Sequence, residues 1–207
     1  MCRGINTVDD LEPLIERASV IALGPGLGQD EWAKALFARI IECPQPKVLD
    51  ADALNLLAQD SAHRDDWILT PHPGEAARLL DIGTAAVQSD RLSALTGLGE
   101  RYGGVAVLKG HCTLIGCDGT MPYVVDRGNA GMASAGMGDV LTGLIAGLVA
   151  QYPGSLHRSA AGAAYAHAVA GDLAAAGGQR GLIATDLFSV LRGILNPDRD
   201  HKPIARD

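Results

Sequence analysis

Short aliphatic runs alternate with amphipathic stretches along this chain. Residues 19–23 (Ser19-Val20-Ile21-Ala22-Leu23) predict a buried strand that stops at Gly24-Pro25-Gly26-Leu27-Gly28. Across residues 30–42, Trp32, Ala35, Leu36, Arg39 and Ile40 recur at helical spacing. Further strands are predicted at 48–50, at 67–70, where Pro71-His72-Pro73-Gly74 intervenes, and at 105–108. That last run (Val105-Ala106-Val107-Leu108) does not alternate with polar residues, as expected of a strand covered on both faces. Helices are predicted over 75–80, 90–102, 139–151, 158–176 and 185–195. Residues 113–116 and 122–125 flank Cys117-Asp118-Gly119-Thr120, a hairpin signal. Strand–helix alternation predicts an α/β fold with a mostly parallel sheet and helices on both faces. No internal repeat or linker interrupts the 207 residues, which predicts one domain over 1–207, with 196–207 as a flexible polar tail.

Composition narrows the class. Hydrophobic residues are 47%, charged residues 20% and aromatic residues only 4%, with 26 glycines, so an aliphatic, alanine-rich core with tight turns is expected. The net charge of -7 argues against broad nucleic-acid binding but leaves room for a local phosphate pocket. The apolar stretch 140–150 is too short for a bilayer and is broken by Thr142, Gly143 and Gly147. The first residues carry no apolar signal core, and four irregularly spaced cysteines (Cys2, Cys43, Cys112, Cys117) suit a reducing cytoplasm.

The densest chemical cue is the loop Gly128 to Gly138 followed by Asp139-Val140-Leu141-Thr142-Gly143. Glycines that open a helix aim free backbone N–H groups at an anion. Asp139 falls in the first helical turn, where negative charge is favoured. A carboxylate there can take the proton of a hydroxyl that attacks a phosphoryl group. The plainer alternative is a helix cap. No Walker A sequence is present.

Upstream lie Thr70-Pro71-His72-Pro73-Gly74-Glu75-Ala76 and then Val107-Leu108-Lys109-Gly110-His111-Cys112-Thr113. This order resembles the ribokinase-like superfamily, with His72 where its small-alcohol kinases have asparagine. Adding Gly24 to Gly28, Asp50-Ala51-Asp52-Ala53-Leu54-Asn55 and Arg180 to Asp186, the chain is similar to the ADP/ATP-dependent NAD(P)H-hydrate dehydratases from about Ser19 to Asn196. The resemblance implies a three-layer sandwich that lacks the family's first strand and helix. It implies repair of hydrated NADH or NADPH: ADP or ATP phosphorylates the ring hydroxyl, phosphate leaves and the double bond returns.

By the same resemblance, Asp139 is the base and touches substrate. Gly26 and His72 meet the hydrated dinucleotide, and Gly138 offers its N–H to the phosphates. Lys109, Gly110, His111, Cys112 and Thr113 line the nucleotide. Glu75 helps position Mg²⁺ through water, and Asp52 is a further contact candidate. Partners implied are small molecules, a second copy of the chain and an NAD(P)H-hydrate epimerase domain, in the cytoplasm. Ala135, where the family has glycine, would disturb the turn if a positive φ were needed.

Three rivals remain. Gly24-x-Gly26-x-Gly28 with Asp50 about twenty residues on resembles a Rossmann fingerprint, but its spacing differs and Pro25 removes an N–H. A small-alcohol kinase and an inert nucleotide-binding fragment are the others. A zinc site from His111, Cys112 and Cys117 matches no ligand spacing. His157 and His167 are expected as partly exposed residues on an alanine-rich helix whose smooth face suits an oligomer contact.

Overall fold

Successive residues of each central strand enter different cores. The computed structural model describes residues 2–117 and 119–196. Its strands are β1 (Ile21–Leu23), β2 (Lys47–Leu49), β3 (Trp67–Leu69), β4 (Val105–Leu108), β5 (Thr113–Cys117) and β6 (Tyr123–Val125). Its helices are α1 (Glu12–Ile15), α2 (Glu31–Ile41), α3 (Ala51–Gln59), α4 (Pro73–Leu80), α5 (Thr84–Ser89), α6 (Arg91–Tyr102), α7 (Met137–Gln151), α8 (Leu156–Ala174) and α9 (Phe188–Leu195). Among the described residues the strands form one sheet in the order β1-β2-β3-β4-β5-β6. β1 to β4 run parallel, β5 is antiparallel to β4, and β6 is antiparallel to β5.

Leu49, Trp67, Leu69, Ala106, Leu108 and Leu114 face one core, filled by α2 to α6 through residues such as Phe37, Leu54, Leu79, Val87 and Leu98. Val48, Ile68, Val105, Val107 and Ile115 face the other, filled by Leu141, Ile145 and Val149 of α7 and by the alanines of α8. Period-two side-chain alternation thus supplies two apolar faces, and the result is three layers. On a third cluster, Leu191 of α9 packs with Met137 and Ala170.

Several expectations shift. Helix α2 buries Ala33, Leu36, Phe37 and Ile40, one position round from the predicted face, and leaves Trp32 exposed. The helices α1, α3 and α5 are additions to the predicted elements. Residues predicted as the helix start at 185 form a 3-10 turn, Ala184–Leu187, before α9. The hairpin turn closes by Thr120 donating to the Cys117 carbonyl, while Asp118 and the predicted tail beyond Asn196 lie outside the described residues. Buried Ala160, Ala163 and Ala164 pack against the sheet and α7, so the smooth face is used inside the chain. His157 is half-buried, tilted against Tyr123 and hydrogen-bonded at Nε2 to the Ile115 carbonyl. His167 is buried, correcting its expected exposure, and burial pushes its imidazole down to about 4.

Lys47, at the start of β2, is fully buried. Its ammonium donates to the carbonyls of Cys43 and Gln45 at 2.6 and 2.8 Å and to Asp66 Oδ2 at 2.9 Å, which uses all three protons. Burial works to raise the Asp66 carboxyl, but hydrogen bonds from Arg64 and Lys47 and their charges outweigh it and hold it at about 2, below its ordinary 3.8. Stability from this depressed carboxylate is complete above its ordinary value and is lost as pH falls through about 2. Asp66→Asn, which strands a buried ammonium, is expected to lower stability by roughly 3 kcal/mol in urea unfolding at neutral pH. The difference should shrink in the acid, and an unchanged midpoint at neutral pH would show that the lysine is satisfied by carbonyls alone.

Candidate active site

Parallel pairing brings the carboxyl ends of β1 to β4 to one edge, and the loops that follow carry the sequence cues. Gly24 follows β1 with φ +133°, and a Cβ there would lie 1.7 Å from the Asp50 carbonyl oxygen. Only glycine permits this approach. Asp50 follows β2 and is 2% exposed. Its Oδ1 accepts from Lys109 Nζ at 2.7 Å and its Oδ2 from Thr142 Oγ1 at 2.9 Å. Burial alone would raise this carboxyl, but the Lys109 charge and the hydrogen bonds from Lys109 and Thr142 hold it below the usual carboxylate range. Buried Glu75, on α4, stands 3.8 Å from the same ammonium. Lys109 is mostly buried between two carboxylates.

Helix α7 begins beside this cluster. Gly136, at φ +83°, is its N-cap and supplies no side-chain cap. The first N–H groups of a helix have no partner within it, so those of Gly138 and Asp139 are left for an acceptor from outside. Gly138 packs on the ion pair: a Cβ there would sit 3.4 Å from both Asp50 Oδ2 and Lys109 Nζ. Asp139 is exposed. Ala135 avoids positive φ, because the left-handed position falls on Gly136. Behind the loop, Asp172 of α8 accepts from Gly128 N and Asn129 Nδ2, both at 3.1 Å.

The remaining predicted residues sort by position. Gly26, at φ +70° with open space around it, belongs to the exposed loop after β1. Asp52 accepts from the Gly28 N–H at 2.9 Å, so one of its oxygens fastens that loop. His72 is the N-cap of α4: Nδ1 accepts from the N–H groups of Gly74 and Glu75 at 2.9 and 3.2 Å. Glu75 completes the box by accepting from His72 N at 2.7 Å. A cap needs an acceptor two or three bonds from the backbone, which imidazole Nδ1 provides as an asparagine oxygen would. The ring proton then sits on Nε2, which stands 3.5 Å from Glu75 Oε1. Gly110, His111, Cys112 and Thr113 form the turn between β4 and β5, with Cys112 at φ +58° and Thr113 Oγ1 donating to the Gly110 carbonyl.

Sequence reading passed over Arg91. Its guanidinium donates to the Leu108 carbonyl at 3.0 Å and to those of Lys109 and Cys112 at 3.4 Å. It therefore fixes the turn 109–113 from behind, and its place at the first position of a helix gave no hint of that. Hollows of 380 Å³ around His63, Glu100 and His157 and 340 Å³ around Leu92, Thr96 and Met121 lie apart from this edge and hold neither the open helix start nor the ion pair.

The sheet order disposes of the Rossmann reading. A Rossmann fingerprint strand sits inside the sheet, between its second and fourth strands. Among the described residues, β4 pairs with β3 and not with β1. The uncapped helix start lies beside a lysine at the carboxyl edge of a three-layer α/β sheet, and the fold is of the ribokinase-like class. A ribokinase-like superfamily protein from Enterococcus faecalis V583 superposes with a TM-score of 0.80 at 30% identity, over 90% of this chain and 66% of that one.

A family model described as NAD(P)H-hydrate dehydratase matches residues 1–192, and the chain belongs to that family. It is 53% identical over 198 residues to the bifunctional NAD(P)H-hydrate repair enzyme Nnr of Coxiella burnetii, covering 95% of this chain and 40% of that protein. The chain thus spans less than half the length of this curated relative. The ADP/ATP-dependent NAD(P)H-hydrate dehydratase from Bacillus subtilis, co-crystallized with ATP/Mg²⁺, aligns with a TM-score of 0.78 at 29% identity, over 86% of this chain and 64% of that one.

Two substitutions separate the parts of this site. Gly138→Ala finds ordinary contact distances in the protein and is expected to fold normally, with its methyl against the Asp50–Lys109 pair, yet to lower ADP affinity by about 10-fold by crowding the neighbouring amide. Arg91→Ala is expected to loosen the 109–113 turn and to weaken ADP binding about 10-fold, near the loss of one or two good hydrogen bonds. Calorimetric titration with ADP measures both, and unchanged affinity in either variant rejects the part assigned to that residue.

Proposed function

We propose that this chain dehydrates the hydrates of NADH and NADPH at the expense of ADP or ATP. The observation that carries this reading is the uncapped start of α7, with exposed Asp139 next to Gly138. Family membership supplies the substrate class. The Gly138 N–H holds the phosphate chain, and the turn Lys109-Gly110-His111-Cys112-Thr113 receives the nucleotide. Gly26 and the exposed edge of His72 face the hydrated dinucleotide.

In the first step Asp139 takes the proton of the ring hydroxyl, and the hydroxyl oxygen bonds to the terminal phosphorus as the bond to the nucleotide's bridging oxygen breaks. In the second, the carbon–oxygen bond breaks, phosphate departs and a ring proton is lost, which restores the double bond. ADP thereby becomes AMP, or ATP becomes ADP. A carboxylate at a helix start suits the first step, since the oriented amides need no rearrangement as charge moves onto the phosphoryl group.

Among the described residues no group of three or more His, Cys, Asp or Glu side chains could hold a metal. Mg²⁺ would arrive carried by the phosphates, with Glu75 reaching it through water. Mg²⁺ bound in this way would offset phosphate charge. No described helix is long and apolar enough to cross a membrane, and we place the reaction in the cytoplasm. The word "bifunctional" and the greater length of the Coxiella relative support a link with a second repair activity, read here as a hydrate epimerase. A homo-oligomer remains part of the proposal.

Asp139→Asn is expected to bind ADP within about 3-fold of the unaltered chain and to lose roughly 10³-fold in turnover, the scale of a general base. Return of reduced-nicotinamide absorbance from the hydrate with ADP present is the assay. Unchanged turnover would remove the base from Asp139.

A further inference from the structure

We propose that Asp50 is a positioning residue for this reaction: its buried carboxylate holds the Lys109 ammonium against the Gly138 peptide, beside the path of the transferred phosphoryl group. The proposal rests on the functional reading above and assigns a part to a residue that reading leaves out.

The pair spans an unusual distance in the fold. Asp50 follows β2 and Lys109 follows β4, with β3 between them. Two strand spacings, about 9.6 Å, separate those chain positions. The lysine lies across the end of β3 to reach a 2.7 Å contact, where a strand-end lysine would ordinarily extend into water. Thr142, one turn into α7, donates to the other oxygen of Asp50 at 2.9 Å. Asp50 therefore links Lys109 to the helix whose first amides are open. The backbone around Asp50 is shaped to keep it there. Gly24 presses on its carbonyl, and Ala51 adopts φ +47°, a conformation that costs a residue with a side chain free energy.

The charges explain what the pair does. Asp50 and Glu75 offset the single Lys109 ammonium with one negative charge to spare. A cluster of that sign does not attract an anion, so the nucleotide's affinity comes from backbone N–H groups. The ammonium, with one proton on Asp50 and the Gly138 peptide at its side, acts on the group in flight. Asp50 therefore governs turnover more than ADP binding. Stability is not the reason for the pair, since buried ion pairs can be exchanged for apolar residues with little or no loss.

The test compares Asp50→Asn, Lys109→Met and the two together, reading kcat, the KM for ADP and the melting temperature. Each single change is expected to lower kcat about 30-fold or more with the KM for ADP within about 3-fold, and the double variant is expected to be no slower than Lys109→Met alone. Multiplying losses near 10³-fold, an unaltered kcat in Asp50→Asn, or a KM that rises in step with the fall in kcat would overturn the assignment. Should Asp50→Asn fail to fold, the pair Asp50→Leu with Lys109→Met removes both members of the ion pair and leaves Glu75 with the His72 N–H as its partner. A melting temperature near that of the unaltered chain together with lost turnover supports the proposal, and retained turnover overturns it. Absence of turnover in the unaltered chain would instead count against the functional reading. The Lys109 ammonium then still reports the pair by nitrogen-15 NMR: a slowly exchanging signal that vanishes in Asp50→Asn is expected, and a signal indifferent to that change contradicts the holding role.

Discussion

Asp50 meets four segments at once. Gly24 lies against its carbonyl, Lys109 and Thr142 bind its carboxylate, and Ala51 turns left-handed behind it. The loops after β1, β2 and β4 and the start of α7 are thereby fixed relative to one another. A carboxylate with 2% exposure is tolerable only when its partners compensate for lost water, and here a cation and a hydroxyl do so. Gly138 and Asp139 take their place from this arrangement.

Around that fixed point the structure leaves selected groups unsatisfied. Helices commonly gain about 1 kcal/mol from a side-chain N-cap. α2, α4, α6 and α8 all have one, from Asp30, His72, Asp90 and Ser155. α7 has glycine there and none, as α5 does, and α1, α3 and α9 also lack a side-chain cap. The omission leaves donors pointing outward at the place where Asp139 is exposed, an arrangement suited to a ligand that brings its own acceptors. His72 shows the opposite economy: one ring nitrogen caps α4 while the other stands 3.5 Å from the Glu75 carboxylate.

Much of this was legible because strand and loop signals were local. The run 105–108 and the amphipathic stretch 90–102 are set by their own residues, and the structure places both within one residue of expectation. α3 escaped because its first residues read as a motif of aspartates, although Ala53, Leu54, Leu56 and Leu57 form a helical apolar face. The glycine loop and Asp139 announced themselves by composition. Lys109 was visible as a charge, but its partner lies 59 positions away, and spacing carries no record of such a contact. Arg91 and Asp172 were hidden for the same reason: each acts on backbone groups of a distant loop. His167 looked like a surface residue of an alanine helix because period alone does not tell which face meets α7.

A crystal structure with ADP tests the central claim most directly. The account predicts a phosphate oxygen within hydrogen-bond distance of the Gly138 amide, with the Asp139 carboxylate facing the terminal phosphoryl group and Lys109 still on Asp50. Phosphates bound elsewhere, with the first amides of α7 capped by water alone, would contradict it.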